Sequence, residues 1–154
     1  MYKYGNLWGI IIVSYCLFMI LTIFFLITQS KTLKAIQQAN RLMEPGMVWL
    51  QLIPLFGLAW QFIVVTRIAD SLKNEFNSWQ NDTILGYADS ESMKLANQQP
   101  TLDIGFTYCI LFCCSIIPFF GLLIAVAGLV CWIIYWVKLA EYKKKITRRG
   151  LLEM

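Results

Sequence analysis

The chain contains no histidine. That single absence removes His-ligated haem, His-containing zinc sites and His-based catalytic dyads. Charge is scarce as well: 14% of residues are charged, against about 25% in a soluble domain, while 58% are hydrophobic. No Asp, Glu, Lys or Arg occurs from Gly5 to Ser30, from Pro45 to Thr66, or from Ile104 to Val137. Each gap exceeds the roughly 20 apolar residues that cross a hydrocarbon core. A soluble domain built this way has no polar surface to show, so the chain reads as an integral membrane protein. There is also no phosphate-binding loop, dinucleotide fingerprint, nucleophile elbow or clustered acid pair. An enzyme is not expected, and neither is a cofactor, a metal or a nucleic-acid partner.

The five cysteines, Cys16, Cys109, Cys113, Cys114 and Cys131, all fall inside apolar segments. They form no disulfide framework and read as small apolar packing residues. The first apolar run, Leu7 to Ile27, is longer than a signal-peptide core and lacks a small-residue cleavage site, so it reads as an uncleaved membrane helix.

A phrase appears twice. Ile53-Pro54-Leu55-Phe56-Gly57-Leu58 recurs as Ile117-Pro118-Phe119-Phe120-Gly121-Leu122, and each copy runs to a basic exit, Arg67 or Lys138. The third charge-free run, 104 to 137, spans roughly 51 Å as one helix, far beyond a bilayer. Pro118 and Gly121 break its middle. The reading is therefore all-α: a four-helix membrane bundle of two parallel-repeat helical hairpins in one domain over 1–154. Its membrane helices fall at about 7–28, 46–66, 102–117 and 121–138. Amphipathic interfacial helices are expected over 30–43 and 67–79, a polar loop over 80–100 and a basic tail over 138–154.

Four crossings put ten basic residues on one side and Lys31, Lys34 and Arg41 on the other. Three crossings give nine against four. The positive-inside rule and the repeat favour four, with both termini in the cytoplasm. Tyr2, Tyr4 and Trp8 at the start, and Trp132, Tyr135 and Trp136 before Lys138, are then expected at the cytoplasmic interface.

Few polar groups lie inside the apolar runs. Gln51 and Gln61 sit about 80° apart around a common helix. With Thr107, Tyr108 and Ser115 they are the candidates to bridge helices or to line a pore. Gly121, Ala125 and Gly128 form a small-residue stripe for close helix packing. Lys143, Lys144, Lys145, Arg148 and Arg149 in the tail are the candidate contacts for anionic lipid.

Arg41 followed by Pro45-Gly46, Trp49, Pro54 and Phe56-x-Leu58 resembles a set of uncharacterised bacterial small multi-pass membrane proteins over about residues 33–72. The resemblance implies a multi-spanning fold in a bacterial inner membrane and carries no activity. The function these features suggest is a non-enzymatic assembly, scaffold or accessory subunit, held in the lipid bilayer with a protein partner or as a homo-oligomer. The alternative is an oligomeric pore, channel or membrane-disrupting effector. Transport of a small apolar or weakly polar solute is a third, weaker reading.

Overall fold

The computed structural model describes residues 3–53, 55–82, 101–115 and 121–152. These are helical, with no strand among them. Helix α1 spans Lys3–Ala35. Two 3-10 helices follow, Gln38–Asn40 and Pro45–Leu52. Helices α2, α3 and α4 then cover Phe56–Asp82, Leu102–Cys114 and Gly121–Leu152. Two segments, Trp8–Ala35 of α1 and Leu123–Leu151 of α4, are long and apolar enough to cross a membrane.

The chain runs α1 down, the 45–52 segment back up, α2 down, α3 up and α4 down. Side-chain contacts fix these directions. Gln37 and Leu42, just past α1, donate backbone N–H groups to Glu75 and Ser71 on α2. Phe25 packs on Trp132, and the Trp136 indole donates to Thr28 one turn further along both helices. Helices α1, α2 and α4 are thus parallel. Helix α3 opposes them: Gly105 faces Val65 and Tyr135, whereas Leu111 lies against Gly128.

The core gathers at the level of α1 residues 25–36. Phe25, Leu26, Leu33 and Ile36 meet Val64, Val65, Ile68, Leu72 and Phe76 of α2, Tyr108 and Cys109 of α3, and Tyr135 and Leu139 of α4. Phe25 is its hub, with edge contacts to Tyr108, Trp132, Tyr135 and Trp136 at centroid distances of 6.4, 5.0, 6.0 and 5.9 Å. Such aromatic pairs add to simple area burial because ring edges are positive and faces negative. Above this level α1 is unpacked. Nearly every described side chain from Trp8 to Phe24 is exposed, Val13 at 69% and Trp8 at 67%.

Several expectations change in detail. The helix expected over 30–43 ends at Ala35. Arg41 turns back and donates from Nη2 to the carbonyls of Lys34 and Ile36, satisfying acceptors that a helix terminus leaves open. Leu33, Ile36 and Met43 are nonetheless all buried, as one apolar face requires. The segment 46–66 is two elements rather than one helix: the 3-10 helix to Leu52, a break before Phe56, then α2. Leu55 takes φ 63°, a left-handed conformation that ends helical continuity. From Phe56 to Arg67 the helix rises only about 17 Å. The amphipathic segment 67–79 is the continuation of α2, with Ile68, Leu72 and Phe76 fully buried.

The sidedness of charge changes as a result. Lys31, Lys34 and Arg41 sit beside the exits at Arg67 and Lys138, not across from them, because residues 37–42 bond to α2 at Ser71 and Glu75. Lys3 opens α1 at the far end. Trp132 and Tyr135 are buried in the core. Helix α4 continues unbroken through the basic tail to Leu152, and α3 ends at Cys114 rather than 117. The expected 80–100 loop lies outside the described residues from position 83 onward, as do Pro54 and 116–120.

Candidate functional site

The first copy of the repeated phrase falls at the tip between the 3-10 segment and α2, and the glycines of the two copies, Gly57 and Gly121, both lack room for a side chain. A Cβ on Gly57 would meet the backbone carbonyl of Gln51, closer than 3.0 Å. A Cβ on Gly121 would lie 2.5 Å from the carbonyl oxygen of Ser115. In each case the obstruction is the backbone six residues earlier. The first tip is also closed by the Gly57 N–H donating to the Ile53 carbonyl at 2.7 Å. Gln51 and Ser115 are 64 residues apart, and so are Gly57 and Gly121. The glycine of each copy therefore meets backbone at the same spacing.

Below the first tip, a cavity of about 420 Å³ lies between α1, the 3-10 segment, α2, α3 and α4. Four of the five polar candidates, Gln51, Gln61, Tyr108 and Ser115, line it. Thr107 does not. It is exposed, and its Oγ1 donates to the Asp103 carbonyl within α3. The rest of the wall is mostly apolar, including Phe18, Phe25, Leu26, Leu58, Phe112 and Trp132. Ile53 and Leu55 on the wall are exposed, Leu55 at 84%, so the cavity opens beside the first tip.

The polar groups divide into satisfied and unsatisfied. Gln51 Nε2 donates to Gln29 Oε1 at 2.8 Å and to the Val48 carbonyl at 3.2 Å, tying the 3-10 segment to α1. Ser115 Oγ donates to the Phe112 carbonyl. Gln61 Nε2 is buried and has no hydrogen-bond partner among the described residues, while the buried Tyr108 hydroxyl lies against the Cys109 thiol. Nearby, the buried Tyr135 hydroxyl lies against the Gln29 side chain. Leaving a buried donor unpaired costs about 1–3 kcal/mol.

Gln29 was not legible as a site residue, since Thr28-Gln29-Ser30 reads as a polar end to an apolar run. Its register was the available signal: Leu26, Gln29, Leu33 and Ile36 share one helical face. Glu75 was likewise hidden among interfacial charges. It is 2% exposed and accepts from the Gln37 N–H at 3.1 Å, Asn40 Nδ2 at 2.8 Å and the Trp79 indole at 3.3 Å. It holds the turn after α1 onto α2.

The remaining candidates fall elsewhere. On α4, Gly121 and Gly128 both face α3; a Cβ on Gly128 would meet the Leu111 Cβ at 3.3 Å. Ala125 is half-buried between them. Lys144, Lys145 and Arg148 are exposed on the last turns of α4, Lys143 is partly buried, and the Arg149 guanidinium stacks 4.6 Å from the Trp79 ring centroid. Among the described residues no group of three or more Cys, Asp or Glu is placed to hold a metal ion. Comparison with protein-family models, curated proteins and solved structures finds no match to this chain.

Proposed function

We propose that the chain is a small membrane-embedded protein acting as a non-enzymatic assembly, scaffold or accessory subunit. In this reading α1 crosses the bilayer, and the basic end of the bundle lies in the cytoplasm. Eleven of the 13 Lys and Arg, all but Lys3 and Lys94, belong to segments at that end. The positive-inside rule then sets the N-terminus outside and the C-terminus inside. The segment from Pro45 to Arg67 enters and leaves on the cytoplasmic side, since about 17 Å of helix falls short of a core about 30 Å thick. Lys144 and Arg148, one turn apart and exposed, are the best-placed contacts for anionic lipid, at about 1 kcal/mol each.

The observation that carries the assembly reading is the division of α1. Residues 25–36 are locked into the core, while the apolar stretch 8–17 is exposed throughout. An unpacked helical arm on a rigid base offers a surface for a second copy or another membrane protein. The test is particle mass in lipid nanodiscs, beside the same measurement with 8–17 replaced by a leucine run. A mass above one copy per disc that falls to one in the variant is the expected result. A single copy throughout, both from native membranes and from purified protein, overturns it.

The pore reading has less support, because four of its five candidate residues converge inside one chain instead of around an axis between copies. Liposome ion flux at the protein-free level is expected. Flux abolished by Gln51→Leu and Gln61→Leu would restore the pore.

A further inference from the structure

We infer that the cavity below the first tip holds the terminal segment of a bilayer lipid's hydrocarbon chain. Depth and chemistry both select that occupant. The opening lies at Ile53 and Leu55, just before α2 begins. Arg67, the first cation of α2, stands about 17 Å further down the helix. In the membrane placement proposed above, on which this site rests, the mouth therefore falls near the centre of a core about 30 Å thick. Chain ends of the two leaflets meet at that depth, and headgroups stay far from it. Phe18 belongs both to the wall and to the exposed flank of α1. A chain end thus enters laterally along that flank.

The wall suits hydrocarbon and offers little to a polar guest. Among the described residues it has no Lys, Arg, Asp or Glu. Its hydroxyl and amide donors are turned to acceptors within the protein. Thr22 Oγ1 donates to the Phe18 carbonyl, Ser115 Oγ to the Phe112 carbonyl, and Gln51 Nε2 to Gln29 and the Val48 carbonyl. The Tyr108 hydroxyl lies against the Cys109 thiol, and Gln61 Nε2 is itself buried. A buried water needs about two to four polar partners, while a cavity left empty costs stability in proportion to its volume. The volume, about 420 Å³, falls within the range of small-molecule sites, about 300–1,000 Å³. A hydrocarbon segment fills it through contacts with Phe18, Leu26, Leu58 and Phe112 and asks nothing of the polar groups.

One experiment separates the site from the placement. The full chain is reconstituted in nanodiscs of phosphatidylcholine. One sample carries a trace of the same lipid with a diazirine at the chain end, and another carries the diazirine beside the ester. After photolysis, crosslinked residues are mapped by peptide mass spectrometry. The chain-end label should mark Leu58 and Phe112 in the cavity, and the ester-side label should not. Leu58→Trp and Thr22→Phe narrow the space from two of its walls. Each should lower the Phe112 crosslink about tenfold, the equivalent of excluding roughly two methylenes. Melting temperatures report the folding of both variants, and the contrast between labels in the parent stands without them. Ile12 and Leu21 on the exposed flank of α1 should be marked in parent and variants alike. Flank crosslinks without cavity crosslinks, as when the cavity holds only water, overturn the site and leave the membrane placement standing. Equal marking of the cavity by the ester-side label, or marking that persists in both folded variants, overturns it too. Absence of crosslinks at Ile12 and Leu21 overturns the placement itself.

Discussion

At the scale of single residues, the polar groups of this chain act as fasteners in an apolar frame. Glu75 shows the principle most clearly. The sequence places it between Leu72 and Phe76, on the buried side of α2, where a carboxylate survives only if donors surround it. Three do: the Gln37 N–H, the Asn40 amide and the Trp79 indole. Removing the carboxylate leaves those donors facing apolar surroundings. Glu75→Ala should therefore destabilise the fold by about 3 kcal/mol, more than an ordinary surface change. Thermal unfolding in detergent micelles measures the loss. Limited proteolysis should show 36–44 as the first segment cut in the variant. A melting temperature equal to that of the parent would mean that Glu75 does not hold the turn.

At the scale of elements, the repeated phrase gains a physical meaning that letters alone could not supply. Its first copy reads in the sequence as a kink within one crossing helix, whereas the chain breaks there between Leu52 and Phe56; the turn expected at the second copy lies outside the described residues. The need for Gly57 was not legible, since it arises from the approach of the Gln51 carbonyl, a contact across the tip. Gly57→Ala and Gly121→Ala should each cost about 1–3 kcal/mol, the usual range for forcing a methyl into packed backbone. Gly46→Ala, with no atom within 4 Å of its new Cβ, should stay within about 0.5 kcal/mol of the parent. Equal melting temperatures for all three variants would refute the close approach of backbone at the two glycines. The same distinction explains the segment 45–52. Its composition suits a membrane helix, and nothing local marks it as a 3-10 stretch. Its path is set by Gln51 bonding to Gln29 and by the Trp60 indole donating to the Met47 carbonyl. Both are tertiary bonds, so hydropathy could find the apolar run and not the fold within it.

At the scale of the whole molecule, the question is which ends share a compartment. Hydropathy and charge count made 46–66 a full crossing, which puts residues 42 and 67 on opposite sides. The packing argues otherwise. The Leu42 N–H donates to the Ser71 hydroxyl at 2.9 Å, and Ser71 lies one turn past Arg67 on α2. Two positions tied this closely cannot be separated by a bilayer about 30 Å thick. Cysteines introduced at Leu42 and Arg67, in a background lacking the five native thiols, should therefore react with a membrane-impermeant maleimide from the same side. A cysteine at Lys144 on α4 should share that side, because Tyr142 packs on Phe76 of the same α2. A cysteine at Lys3 should react from the opposite side, since α1 rises about 50 Å over its length. Labelling of Leu42 and Arg67 from opposite faces would reinstate the alternating four-helix topology and would require the Leu42 to Ser71 bond to break in the membrane.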